Sequence, residues 1–426
     1  MNIIAFEGAA GTGKTTQLMA QLEAQLITTE LRDGQRVLGL TFMHGARRRL
    51  NARMSHVPGL KGRFECVTFD SFAWNLVQRW RSLVKVLNLL IDNNNEYNTT
   101  CSVAALLLEK PEVRNWVART FPIVVVDEVQ DCKQGRLGII QSLAQVVILL
   151  VAGDEFQDLS DLGPNPALEW LKSTCKVIHL NINHRTNKSE LLNASMALRQ
   201  GNPLYSVGDF QILAAYRALD AAGHVARSLK WKPGGDVVLL SPTKPANSAF
   251  VLQTLERLDR EPIKIKEGQY AGPFKIRWEL DITTMELQLF QAVGLIGEPD
   301  QIVDLNNLNF NVACPGAAEL REWLHRRYSL GYVQPLKLGD IQSQAKRIVQ
   351  RIRAYGSVSH GLRAMTIQQA KNQEFRGVIV LWPYEVGGSI ESQRRRLYNA
   401  VTRAREWVTV IVQDPYKRRI TQPPFC

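Results

Sequence analysis

The run Gly8-Ala9-Ala10-Gly11-Thr12-Gly13-Lys14-Thr15 constrains the fold of this chain more than any other stretch, because it completes a phosphate loop between an apolar segment at 3–6 and a helix-like segment at 15–26. Glycines at this spacing let backbone N–H groups turn inward, and the N-terminus of the following helix adds positive potential. A strand, this loop and a helix in that order form a cradle for a polyphosphate. Lys14 is then placed to reach the outer phosphates and Thr15 to hold a magnesium ion, with Gly8, Gly11, Thr12, Gly13 and Thr16 completing the nucleotide-binding set.

The rest of the sequence has the rhythm such a loop needs. Short β-branched apolar runs recur at 3–6, 37–42, 123–126, 146–151, 177–180, 237–240, 378–381 and 408–412, separated by segments with helical periodicity such as Leu18, Leu22 and Leu26. Alternation of this kind argues for an α/β fold with parallel sheets covered by helices. The rhythm breaks at about 74–116, which is helix-rich, and at about 260–355, which ends in basic helical sequence. Both are expected to be insertions, the first into a core spanning 1–172 and the second into a core spanning 173–426.

Length and composition fit that division. A chain of 426 residues is long for one hydrophobic core. Its net charge of +12 favours a polyanionic partner, most simply nucleic acid. The six cysteines are scattered, so neither a zinc site nor a disulfide framework is suggested, and a reducing cytosol fits. The longest apolar stretch, 146–152, is too short to span a bilayer, and the phosphate loop occupies the position of a signal peptide. A cytoplasmic protein with no membrane partner is expected.

Further candidates follow the loop in order. The strand at 124–126 ends in Asp127-Glu128, where a phosphate-loop enzyme holds its metal through the aspartate and activates water through the glutamate. The strand at 147–151 runs into Gly153-Asp154-Glu155-Phe156-Gln157, which places Gln157 to sense a γ-phosphate. Asn183-His184-Arg185-Thr186 and Thr402-Arg403-Ala404-Arg405 bring guanidinium groups from the second half, and such groups stabilise phosphoryl-transfer charge. Taken singly, Gln157 reads better as a polar loop residue, and each arginine as a surface residue or salt-bridge partner.

Taken together, these motifs resemble the UvrD/Rep/PcrA group of superfamily 1 helicases. Leu40-Thr41-Phe42 is similar to motif Ia, residues 67–72 to motif Ib, residues 127–131 to motif II and residues 153–157 to motif III. Residues 183–186 resemble motif IV, residues 366–375 motif V and residues 397–404 motif VI. The resemblance implies two RecA-like cores with Mg-ATP between them and single-stranded DNA across their top, along which the chain translocates, 3′ to 5′. It implies that Arg185 and Arg403 contact the γ-phosphate, that Glu374 lies near the ribose or phosphates, and that His184 packs on the base. It also implies DNA contacts from Phe42, by stacking, and from Thr41, Thr68 and Thr366. Arg47, in the basic run Arg47-Arg48-Arg49, is expected to face DNA phosphates, and Lys346, Arg347, Arg351 and Arg353 recur at near-helical spacing in the second insertion, although a charge run of either kind is more often a solvated face.

The sequence departs from the family where DNA coupling is concerned. Gln157 is followed by 158–164 instead of an aromatic-rich segment, Asp70 stands where a histidine is usual, and motif V has Gln368 for histidine and Asn372 for glycine. No glutamine motif precedes the loop, and both insertions are short. A second reading is therefore carried forward: a nucleotide-gated DNA clamp, or a helicase-like regulatory subunit bound to a protein partner. The start of the chain, 6–17, also looks like a thymidylate kinase, but that enzyme class explains neither residues 127–131 nor the arginines.

Overall fold

In the computed structural model the described residues are 2–42, 44–92, 95–160, 163–182, 184–232, 234–310, 313–329, 336–355, 362–416 and 418–426. They fall into two compact units, one of residues 1–276 with 362–426 and one of residues 277–361.

The first unit holds two parallel α/β cores. In the first, β1 (Asn2–Gly8) leads through the phosphate loop into α1 (Lys14–Thr28). Then follow β2 (Val37–Thr41), α2 (His44–Met54), β3 (Phe64–Thr68) and the helices α3 (Phe69–Arg79), α4 (Arg81–Val86), α5 (Glu96–Leu108) and α6 (Pro111–Thr120). The core closes with β4 (Ile123–Val126), α7 (Gly135–Leu143), β5 (Ile148–Gly153), α8 (Pro166–Thr174) and β6 (Val177–Leu180). The six strands lie in the order β3-β2-β4-β5-β1-β6, and their pairings are parallel. The strand β6 pairs with β1, so the first core's sheet continues to Leu180 and corrects the boundary expected after residue 172. Period-two patterning cannot say which sheet a strand joins, and an apolar run at the crossover fits either.

The two faces of this sheet are both apolar, as a parallel sheet between helices requires. Phe6, Val37, Val125 and Leu150 meet Leu18 and Leu22 of α1 and Leu50 and Met54 of α2. The alternate residues Ala5, Leu38, Val124 and Leu149 meet Phe72, Leu76, Ala104 and Leu107 of the helical insertion together with Ile139 and Leu143. The insertion is thus one of the layers that bury the sheet.

The second core begins with α9 (Ser189–Gln200), β7 (Phe210–Ala215), α10 (Ala218–Trp231), β8 (Val237–Ser241) and α11 (Ala249–Arg260). A small hairpin, β9 (Ile263–Lys266) and β10 (Gln269–Ala271), and the short strand β11 (Ile276–Trp278) follow. The second unit carries α12 (Ile282–Val293), α13 (Ala317–Ser329) and α14 (Leu338–Tyr355), which share a core of Leu289, Val293, Leu320, Leu324, Ile341 and Ile348. It begins at 277, later than the 260 expected, because α11 and the β9-β10 hairpin belong with the second core. The chain then completes the second sheet with β12 (Leu362–Thr366), β13 (Phe375–Trp382), α15 (Ile390–Val401) and β14 (Ala404–Gln413), in the order β11-β12-β8-β13-β14-β7. Leu191 and Leu198 of α9 and Leu397 and Val401 of α15 pack on one face of this sheet, in a cluster that also takes in Ala10 and Phe156 of the first core. Among the described residues no helix is long and apolar enough to cross a membrane.

Candidate active site

Chemistry collects where the strands of the first sheet end. All its strands point the same way, so the residues that follow β1, β4 and β5 emerge at one edge. The phosphate loop leaves β1 at Gly8, where a Cβ would strike Thr12 Oγ1 and come within 2.9 Å of the Leu180 carbonyl. Gly13, the residue before α1, has φ +77, a left-handed conformation that favours glycine. The Lys14 ammonium donates to the carbonyls of Gly8 (2.9 Å) and Ala9 (3.0 Å), and Thr12 Oγ1 donates to Ala9 at 2.9 Å. Arg53 of α2 donates to Thr16 Oγ1 at 3.1 Å.

At the end of β4, Asp127 Oδ2 accepts from Thr15 Oγ1 at 2.9 Å. Burial, then the charge of Glu128, push the Asp127 carboxyl up to about 6, against the Thr15 hydrogen bond and Lys14. A hydroxyl and a carboxylate this close, the latter starved of water and beside a second carboxylate, are the hard oxygen ligands that fit a magnesium ion. Glu128 sits at φ 62, strained for a residue other than glycine, and its Oε2 accepts from Gln130 Nε2 at 2.7 Å.

The second core supplies cations to the same place. Arg403, 2% exposed, donates through Nη2 to Gln157 Oε1 at 3.2 Å and through Nε to the Asn399 carbonyl at 3.1 Å. Burial, then repulsion from Arg185, push its guanidinium down to about 10. Arg185 pairs with Glu374 at 3.0 Å and donates to the Thr402 carbonyl at 2.8 Å. His184 meets the phosphate loop through its backbone, its N–H donating to the Gly11 carbonyl at 2.7 Å. Two crowded guanidinium groups and a loop lysine suit a polyphosphate, which would relieve their mutual repulsion.

The expected DNA residues are placed less uniformly. Phe42 is half-buried, with its ring centroid 5.0 Å from that of Phe69. Thr41 is 1% and Thr68 4% exposed, and the Thr68 hydroxyl accepts the Ser71 N–H as the N-cap of α3. Both threonines are thus buried, and the Thr68 hydroxyl is engaged in capping α3. Asp70 is matched by Arg136 at 2.6 Å, so the acid that replaces the usual histidine is neutralised within the first core. Burial pushes the Arg49 guanidinium below its ordinary value, against the charges of Glu128, Asp127 and Glu374. It lies on the same face of α2 as Arg53, four residues on, and so belongs to the nucleotide side. Arg47 is half-buried in α2, and the Arg353 side chain lies outside the described residues, as do Asn183, Asp161 and Leu162.

Motif V spans its sheet. Thr366 ends β12 beside Ser241 of β8, and the turn to Gln369 is tied by hydrogen bonds from Thr366 N (2.8 Å) and Oγ1 (2.9 Å) to Gln369 Oε1. Eight residues on, Glu374 precedes β13 at the opposite end, where the Phe375 N–H donates to the Arg403 carbonyl at 2.8 Å. Asn372 has φ 65 and takes the left-handed conformation that the family's glycine adopts freely. Sequence reasoning did not single out Asp154, Arg199, Tyr398 or the cross-core pair of Lys371 with Asp131 at 2.9 Å. Asp154 and Tyr398 stood within quoted motifs, but nothing in the helical sequence of α9 marks Arg199.

The family model described as "AAA domain" matches residues 1–228, and that described as "UvrD-like helicase C-terminal domain" matches residues 361–411. No curated protein matches the chain. Among solved structures, arterivirus nonstructural protein 10, a helicase, aligns at 10% identity and a TM-score of 0.41, over 99% of this chain and 62% of that one. This chain thus spans less than two thirds of that protein. With more than half of its residues matched by one model, the chain belongs to the AAA-domain family, and residues 361–411 within the second core are similar to a UvrD-like helicase C-terminal domain.

Proposed function

We propose that this protein is an ATP-dependent translocase on single-stranded DNA, hydrolysing Mg-ATP between its two RecA-like cores and moving 3′ to 5′. The observation that carries the reading is the hydrogen bond of Arg403 of the second core to Gln157 of the first, which also carries the phosphate loop, Asp127 and Glu128, with Arg185 paired to Glu374 of the second core. Loop amides and Lys14 hold the β- and γ-phosphates, with the adenine side near His184. Thr15 and Asp127 would hold magnesium, which when bound neutralises phosphate charge. Glu128 accepts a proton from the attacking water as its oxygen bonds to the γ-phosphorus and the bond to the β-phosphate oxygen breaks. Gln157 orients the γ-phosphate, and the two arginines stabilise the charge that develops. On the DNA side, Phe42 offers a ring for sequence-tolerant stacking, and Arg47 and Thr366 offer phosphate contacts. Unpaired thiols fit a reducing cytosol.

One observation favours the clamp or regulatory-subunit reading. After Gln157 the chain forms a polar knot in which buried Asp158 accepts from Lys133 (3.1 Å), Asn165 (2.7 Å) and the Ser160 N–H (3.0 Å). Where the family offers aromatic rings to DNA, this segment offers a closed hydrogen-bond set. Steady-state ATP hydrolysis with and without a single-stranded oligonucleotide, with Glu128→Gln as control, tests the proposal. Strong stimulation is expected. Hydrolysis indifferent to the oligonucleotide would favour the clamp and direct the search to a protein partner.

A further inference from the structure

Between the cores lies a set of hydrogen bonds that catalysis as described does not use. Asp154, at the end of β5, is wholly buried. Its Oδ1 accepts from Arg199 Nη1 (2.6 Å) and the Phe156 N–H (3.1 Å), and its Oδ2 accepts from Gln157 Nε2 (3.0 Å) and the Tyr398 hydroxyl (3.0 Å). Every acceptor position of the carboxylate is filled. The Tyr398 hydroxyl in turn accepts from the Ala10 N–H of the phosphate loop at 2.8 Å and from Arg199 at 3.2 Å. The set extends outward on both sides. Gln157 Oε1 accepts from Arg403, while the Asp154 N–H donates to Gln130 Oε1 at 3.0 Å and Gln130 holds Glu128.

The partners divide cleanly by core. Ala10, Glu128, Gln130, Asp154 and Gln157 belong to the first, and Arg199 of α9 and Tyr398 and Arg403 of α15 and its end belong to the second. Those two helices pack as one body on the second sheet. The Tyr398 ring meets Phe156 edge-on at 5.1 Å, and the Arg199 guanidinium lies 5.4 Å from the Phe156 centroid. If the cores part, Asp154 loses the Arg199 guanidinium and its one hydroxyl donor, Tyr398, in the same movement, and only Lys14 of the first core remains to offset its charge. A buried carboxylate stripped in that way is costly, so intermediate separations are disfavoured and the contact behaves as made or unmade.

We infer that Arg199 is a positioning residue: with the Tyr398 hydroxyl it locks Asp154 between the phosphate loop and the second core, so that nucleotide on the loop sets Gln157 and Arg403 in place. The inference rests on the proposed nucleotide site and adds to it the link by which occupancy is passed to α9 and α15. Arg199 touches neither the phosphates nor the water; it acts through Asp154.

Hydrogen exchange with Mg-ATPγS, followed in wild type, Arg199→Met, Arg199→Lys and Tyr398→Phe, tests the link, with ATP hydrolysis measured in parallel. In wild type, nucleotide is expected to slow exchange in α1 and also in α9 and α15. Arg199→Met and Tyr398→Phe should keep the slowing in α1 but lose about tenfold or more of it in α9 and α15, with Arg199→Lys restoring part. Should Arg199→Met fail to fold, Tyr398→Phe, which keeps the ring and removes only the hydroxyl, decides alone. Nucleotide-dependent slowing of α9 and α15 that is absent from wild type, or undiminished in the variants, overturns the inference. A wild type that shows the expected exchange pattern but does not hydrolyse ATP overturns the proposed function and leaves the link standing.

Discussion

Asp127 shows how a single side chain carries both the cost and the use of this site. Its ordinary value of 3.8 is raised to about 6, first by burial and then by Glu128. A raised carboxyl contributes stability while protonated, present in full below about pH 4 and lost as pH rises to about 6. A magnesium ion competes for the same oxygens, so below pH 6 its affinity should fall by roughly tenfold per pH unit. Thermal unfolding with and without Mg-nucleotide at pH 5.5 and 7.5 checks this: the bound form should gain more at 7.5. Equal gains would remove Asp127 from the metal site. Lys14→Ala is expected to weaken nucleotide binding or turnover by about 10- to 100-fold, the worth of a hydrogen bond to a charged group. Equilibrium binding of a fluorescent nucleotide measures it.

At the scale of elements, Thr68 separates two readings of one residue. As the N-cap of α3 it should lose about 1 kcal/mol of stability on Thr68→Ala and little on Thr68→Ser, measured by urea unfolding. A stable Thr68→Ala chain with weakened oligonucleotide binding would support the DNA contact instead. This residue also marks how far the sequence can be read. The strands and the phosphate loop were legible because β-branched runs and glycine spacing act locally. The alignment to motif Ib was legible too, yet which way the Thr68 hydroxyl points depends on where α3 starts, a matter of one residue. Arg49 shows the same limit, since three consecutive arginines on a helix point in three directions and only the docking of α2 beside α1 says which one meets the nucleotide side. The end of the first sheet at Leu180 and the pairing of Arg199 with Asp154 join distant parts of the chain, and local pattern is silent about both.

For the molecule as a whole, the division of labour between cores makes a quantitative expectation. The first core supplies the loop, the proposed metal ligands and Glu128, so it should bind ADP largely unaided. The second core supplies Arg403, whose hydrogen bond to Gln157 crosses between them. An arginine brought by a second core contributes about 10³-fold or more to phosphoryl transfer, because it meets charge that exists only in the transition state. Arg403→Ala should therefore lower kcat by about that factor, with ADP affinity within a few-fold of wild type. The residue is also buried and tied to the Asn399 carbonyl, so a structural role has to be separated from the catalytic one. Calorimetric titration with ADP does so through its stoichiometry, which counts folded sites independently of turnover. Full stoichiometry with a collapsed kcat assigns Arg403 to the transition state. A stoichiometry that falls in step with kcat means that the arginine holds the cores together and that the charge must be met by Arg185 alone.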